Sequence, residues 1–454
     1  MQVRHPTIAI SIRSSDTNTY ASDEFMPSLH VPRCKNRKLT IICLIVIILL
    51  GTSLTYQSFI RYFDSIKQSR IYLEEKPLKG NSTSIQRAIL IFYPSTQESH
   101  YLPEVRWLYR SWLEMMKVES KEWRTDFIIY TEYYSSSLQQ LGCVLNEVRM
   151  DDTEPPQCRV FPYLRISNRT INSITQRQTV FASSGKSEFF QINTARSIEL
   201  YREMQKYGYI DSVNIIAEAY PTFQYYDFIL KTDIDVFITK QFAKYTPVTK
   251  NTFLVGLGGY STQFNTRRLG RVARDMNWHH PNITNIGSTW YGPPYIAQRI
   301  ANFTLDAMLH LYIYEFTKAE HEQKVGTILW PDWHYGVLSM YGTHLAVNHL
   351  FVSDKFDIKK ADQLLDQSTT NKDPFDLQKN NRLHLHCWHT EQPFSKFAFK
   401  DGRYNKIHPR TLYNDTSAQA YAMRMALESR LMTVNELGQR LHDIGDDKIA
   451  QIKL

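Results

Sequence analysis

From Arg87 onward the chain sets short apolar runs between amphipathic stretches. Residues 88–93 (AILIFY) read as a buried strand, 105–116 (VRWLYRSWLEMM) as a helix with an apolar face, and 126–131 (DFIIYT) as a second strand. Strand, helix, strand predicts a parallel sheet, because parallel neighbours need a crossover between them. A second group repeats the theme, with helical spacing over 192–208 and strands over 226–233 (YDFILKTD) and 253–259 (FLVGLGG). Beyond these lie a helix-like stretch over 293–316, a strand-like run over 344–352 (HLAVNHLFV), and a His-rich segment over 382–389 (RLHLHCWH). Residues 417–444 carry helical spacing and predict one or two closing helices. The fold class implied is α/β, a Rossmann-like mixed sheet with helices on both faces.

The N-terminal region follows another pattern. Residues 1–30 are polar and aperiodic, the mark of a disordered tail. Residues 39–60 (LTIICLIVIILLGTSLTYQSFI) hold no charge and are long enough to cross a hydrocarbon core of ~30 Å as a helix. A cleaved signal peptide is the alternative, but 38 residues precede the run and no small-residue cleavage site follows cleanly. Arg33, Lys35, Arg37 and Lys38 crowd its N-terminal side, which orients the N-terminus to the cytosol. The expected organisation is a cytosolic tail (1–38), a single transmembrane signal anchor (39–60), a stem (61–86), a catalytic domain (87–410) and a C-terminal helical segment (411–454).

Charge and cysteines agree with that topology. The net charge of +8 is spread thinly, and no basic stripe marks a nucleic-acid partner. Asn-x-Ser/Thr sequons fall at Asn81, Asn168, Asn282, Asn302 and Asn414, all beyond the apolar run. Cys143 and Cys158 enclose a short acidic segment and form a candidate disulfide for an oxidising compartment, leaving Cys387 unpaired.

The chemistry centres on Asp233 and Asp235 in FILKTDIDVF, the only Asp-x-Asp pair in the chain. An apolar strand runs straight into two carboxylates, and ligands of α/β sheets collect at the carboxyl ends of strands. Such a pair can hold Mn²⁺ or Mg²⁺, hard cations whose other positions take diphosphate oxygens. Two solvated turn carboxylates are the ordinary alternative. Gly256, Gly258 and Gly259 in GLGGYS permit close backbone approach to a ligand, and Gly258 and Gly259 are candidate cofactor contacts, although the run lacks the spacing of a dinucleotide fingerprint and reads first as a strand-end turn. Trp290–Pro294 (WYGPP) is an aromatic-glycine turn of the kind that lines sugar sites, and Arg267, Arg268 and Arg271 are candidate diphosphate contacts or a solvated helix face.

Tail, anchor, stem and a strand ending in TDIDVF together resemble the Golgi type II glycosyltransferases of the GT-A fold. More narrowly, the chain is similar to eukaryotic membrane proteins carrying a GT-A-like domain of unknown function. The resemblance covers roughly residues 87–400 and implies a nucleotide-sugar donor, a glycan or glycoprotein acceptor and a divalent cation. It gives Asp233 a place at the donor ribose or the metal and makes Asp235 a metal ligand. It also implies a downstream histidine ligand; His384, His386 and His389 are available, and His386 or His389 is the candidate. In residues 330–336 (WPDWHYG), aromatic faces flank Asp332 and His334. An inverting transfer needs a base for the acceptor hydroxyl, and Asp332 is the first choice, His334 the second. A Pro-Asp helix start with Asp332 as a cap is the structural alternative.

The function expected is metal-dependent sugar transfer in the Golgi lumen, with a catalytically silent lumenal glycan-binding protein as the alternative. A metal-dependent hydrolase would show His-x-x-x-His on one helix, which the chain lacks.

Overall fold

β1 (Ile85–Tyr93) carries an unbroken apolar run because both its faces are covered: Ala88 and Leu90 join one core, Ile89 and Ile91 the other. The computed structural model describes residues 84–149, 154–163, 194–247, 249, 251–325, 330–388 and 394–452. The expected tail, membrane anchor and most of the stem lie outside them. Among the described residues no helix is long and apolar enough to cross a membrane.

The further strands are β2 (Trp123–Thr131), β3 (Val144–Leu145), β4 (Cys158–Pro162), β5 (Phe228–Lys231), β6 (Val236–Ile238), β7 (Thr252–Leu257), β8 (Ile286–Gly292), β9 (Asp357–Lys360), β10 (Gln367–Ser368) and β11 (His384–His386). Eight form one sheet in the order β3-β4-β2-β1-β5-β8-β7-β9. Every pair in it is parallel except the two made by β8, which runs against β5 and β7. The carboxyl ends of β5 and β7 therefore meet the start of β8 at one edge. The expected mixed α/β sheet is what the chain forms.

Helices cover both faces. α1 (Glu98–Met116) crosses from β1 to β2; α2 (Thr194–Met204), α3 (Asp211–Glu218), α4 (Gln263–Asp275), α5 (Pro294–Tyr314) and α6 (Leu338–Ser353) follow. α7 (Lys396–Lys400), α8 (Ala418–Leu431) and α9 (Val434–Ile452) close the chain, so the expected closing helices are two long ones. α3, α5 and α6 build the core on one face, and α1 and α8 the core on the other.

The strand expected over 344–352 is instead part of α6. Tyr341, Leu345, Ala346, Val347 and Leu350 are all buried, because α6 packs against both α5 and β8. A helix wrapped in apolar neighbours shows no polar stripe, so its sequence cannot be told from a buried strand by periodicity.

Away from the β3–β4 side of the sheet Cys387 is a buried free thiol; on that side Cys143 and Cys158 form the expected disulfide. Beside them Asp126 of β2 is saturated with donors: Arg149 at 2.7 Å, Arg159 at 2.8 Å, the Tyr226 hydroxyl at 2.6 Å and the Gln157 amide at 2.9 Å. Burial raises the Asp126 carboxyl, but the two guanidinium groups outweigh it and bring it down to about 2.

Candidate metal centre

All four residues of β5 are buried, and the chain leaves the sheet at Thr232, whose amide still donates to Leu90 O. Asp233 and Asp235 follow on alternate positions of this exit, with Ile234 turned into the core. β6 then pairs antiparallel with β11, setting His386 opposite Val236. The consequence is convergence: one ligand atom each from Asp233, Asp235 and His386 lies within 4.8 Å of the others. His386 Nε2 stands 3.4 Å from Asp235 Oδ1 and 3.9 Å from Asp233 Oδ2.

Each of the three is held from behind. Ser288 Oγ donates to Asp233 Oδ2 at 2.7 Å, and Lys231 Nζ, donating to Ser288 O at 2.7 Å, lies 4.0 Å from Asp233 Oδ1. The Cys387 amide donates to the Asp235 carbonyl, and Lys396 Nζ donates to Asp235 Oδ2 at 2.6 Å. His386 Nδ1 stands 3.3 Å from Asp366 Oδ1. Asp366 is itself buried and accepts from the Thr289 hydroxyl at 2.6 Å and the Thr289 amide at 3.2 Å.

Charge tunes these groups in opposite directions. Burial favours the neutral His386 ring, yet Asp235 and Asp366 outweigh it and raise its proton affinity well above the ordinary imidazole value. Burial raises Asp235, but His386 and Lys396 outweigh it and hold the carboxyl well below its usual range. His384 differs: burial pushes it down to about 4. Its Nδ1 accepts from the Asp366 amide, so Nε2 carries the proton toward Thr232 Oγ1 at 2.8 Å.

Of the sequence candidates, Asp233, Asp235 and His386 are brought together, whereas His384 is a buried neutral support and His389 lies outside the described residues. Cys387 does not join the cluster. Asp332 and His334 sit in the turn before α6. Asp332 Oδ1 accepts from the Thr262 hydroxyl, and His334 Nδ1 accepts from the Gly336 amide at 3.0 Å. This turn borders Gly259, whose added Cβ would meet Trp330 at 3.6 Å, so it lies toward the sheet edge that carries Asp233. Trp330 is 51% exposed.

Other candidates serve the fold. Gly258 is buried, and a Cβ there would stand 2.8 Å from the Ile286 carbonyl oxygen. Trp290 and Tyr291, read as a sugar-lining turn, are core residues of β8. Arg268 and Arg271 bind Glu315, at 3.0 and 2.5 Å, while Arg267 is exposed on α4. Sequence reasoning missed Asp366 and Lys396. Asp366 left a trace: a Cβ on Gly256 or Gly287 would stand 2.0 or 2.3 Å from its Oδ2, so glycines in two neighbouring strands mark its close approach.

Two carboxylates and one imidazole suit Mn²⁺ or Mg²⁺, the histidine leaning toward Mn²⁺, with coordination positions left for a ligand. Asp366 on the far nitrogen of His386 is the outer-shell partner such a site requires.

Comparison with known proteins gives partial overlaps. No curated protein matches the chain. Among solved structures, a WbbM bifunctional glycosyltransferase is 9% identical at a TM-score of 0.35, over 79% of this chain and 53% of that one. The chain thus spans about half the length of that protein. Mouse xyloside xylosyltransferase 1 is 9% identical at a TM-score of 0.32, over 68% and 100% of the two chains. The S. cerevisiae mannosyltransferase Ktr4p, solved with GDP, is 10% identical at 0.27, over 83% and 93%. All three are glycosyltransferases. Residues 81–453 match one family over most of the chain, and the protein therefore belongs to the family described as "Domain of unknown function (DUF7164)".

Proposed function

We propose that the chain is a GT-A-like, metal-dependent glycosyltransferase, moving a sugar from a nucleotide-sugar donor to a glycan or glycoprotein acceptor. The observation that carries this reading is the convergence of Asp233, Asp235 and His386 at the carboxyl end of β5, with Asp366 behind the histidine. Asp233, Asp235 and His386 would hold Mn²⁺ or Mg²⁺. When bound, the cation supplies positive charge to the departing nucleoside diphosphate. The protein's own part is to orient: Ser288 and Lys231 fix Asp233, and Asp366 fixes the His386 ring so that Nε2 faces the carboxylates. In an inverting transfer Asp332 would take the proton of the acceptor hydroxyl, with His334 as the alternative base, and the exposed face of Trp330 would stack on a sugar ring.

We place this domain in the Golgi lumen, behind a type II anchor formed by residues 39–60. The Cys143–Cys158 disulfide and the exposed sequon asparagines Asn282 and Asn414 support an oxidising, glycosylating compartment.

The test is release of nucleoside diphosphate by the full-length protein from a panel of nucleotide sugars, with Mn²⁺ or with EDTA. Release that needs Mn²⁺ and disappears in Asp235→Ala is expected. The second reading, a silent glycan-binding protein, draws support from the Lys396 ammonium already seated on Asp235. It takes the lead if folded protein turns over no donor and shows no Mn²⁺-dependent nucleotide binding.

A further inference from the structure

Lys396 touches the centre in a way the metal-site reading does not absorb. Its Nζ stands 2.6 Å from Asp235 Oδ2, with both side chains nine-tenths or nearly so removed from solvent. The other oxygen of Asp235 faces His386. A cation gathering Asp233, Asp235 and His386 must therefore share a carboxylate with an ammonium that is already bonded to it. Two like charges on one carboxylate in a site of low dielectric repel strongly.

The local charge count sharpens the point. Asp233, Asp235 and Asp366 bring three negative charges; Lys231 and Lys396 bring two positive ones. With His386 neutral, as ligation requires, the centre carries −1, and a divalent cation turns it to +1. The neighbouring carboxylate on α1, Glu104, does not correct the excess, because Lys400 Nζ is paired with it at 2.6 Å. A diphosphate brings the missing negative charge.

We propose that Lys396 is an internal competitor for the cation: its ammonium must leave Asp235 for the cation to bind fully, so cation and nucleoside diphosphate load together. This rests on the metal-site reading of Asp233, Asp235 and His386. It assigns Lys396 a positioning role that makes binding of Mn²⁺ alone weak and couples it to the donor's diphosphate.

The experiment follows free Mn²⁺ by electron paramagnetic resonance as full-length protein is titrated at fixed pH, with and without UDP or GDP. Lys396→Met is expected to bind Mn²⁺ alone about tenfold more tightly, the size of one charge-assisted hydrogen bond, and to lose most of the gain the nucleotide gives the wild type. Lys396→Gln repeats the measurement with a polar side chain, and Lys396→Arg, which keeps the charge, is expected to bind as the wild type does. Wild-type binding with no tightening in Lys396→Met and Lys396→Gln overturns the competition and leaves the metal site standing. Equal tightening in Lys396→Arg also overturns it, because charge is then not the cause. Absence of Mn²⁺ binding in every form, with nucleotide or without, sinks both the competition and the metal-site reading beneath it.

Discussion

Two clusters of aspartate chemistry stand on the same sheet, and they are built differently. Asp126, in the amino-terminal part of β2, meets two guanidinium groups, a phenol and a backbone amide. Asp233 and Asp235, at the carboxyl end of β5, meet an imidazole, a hydroxyl and two ammonium groups, one at hydrogen-bond distance and one at 4.0 Å. Arginine cannot give up its proton and binds through a rigid fork, whereas lysine and histidine exchange partners and protons readily. The first cluster is saturated and serves as a clasp. The second is charge-balanced by groups that a ligand can displace, which is what a binding site needs.

The sharpest way to break this contrast is Asp126→Ala, which removes the buried carboxylate that Arg149 and Arg159 share and leaves Arg159 its pair with Glu154. A loss of about 3–5 kcal/mol of stability is expected, as for a broken buried pair, read as a large fall in the denaturation midpoint. A mild effect there would remove the distinction between clasp and site. Asp366→Asn comes next: it should weaken Mn²⁺ binding by about 10- to 100-fold, the usual result of losing an outer-shell partner, and calorimetry checks it. If affinity holds while stability collapses, Asp366 belongs with the clasp instead.

Acidification is the third test. A protonated His386 cannot ligate, and Asp235 and Asp366 together outweigh burial to raise its proton affinity above the ordinary value of 6.5. Mn²⁺ affinity should therefore already be falling as pH drops toward 6.5, by about tenfold per unit for one displaced proton. Titration at several pH values reads the slope, and a flat profile down to pH 6 removes His386 from the ligand set. The smallest effect is expected from His334→Ala. Losing the bond to the Gly336 amide should cost about 1 kcal/mol of stability, with Mn²⁺ affinity unchanged. A large change in Mn²⁺ affinity would join the aromatic turn to the candidate metal centre.

The central strands were legible in the chain because β1, β2 and β5 lie where apolar runs end in polar breaks. Asp233 and Asp235 were legible because carboxylates directly after a buried strand have few structural uses. His386 was legible only as one of a cluster, since the choice between His384 and His386 is made by the β6–β11 register. Asp366 and Lys396 were not: one lies in an ordinary polar stretch, the other opens a short helix, and neither has a local pattern. Their roles arise from contacts made across the sheet, and only the glycines at 256 and 287 carried a trace of the first. α6 was misread for the opposite reason: residues 341–348 are all buried, so no polar stripe there marks the helical period.

The pairing of β6 with β11 joins segments far apart in the chain; Thr232 and His384, which hydrogen-bond there, are 152 residues apart. A cation bound by Asp235 and His386 would act as a staple on that long loop, absent from the unfolded chain. Its binding free energy would pass to the whole fold, about 2.7 kcal/mol at a hundred times its dissociation constant. Resistance of this protein to heat and proteolysis would then depend on the ion content of its compartment, a form of quality control in which the folded population follows the supply of the cofactor.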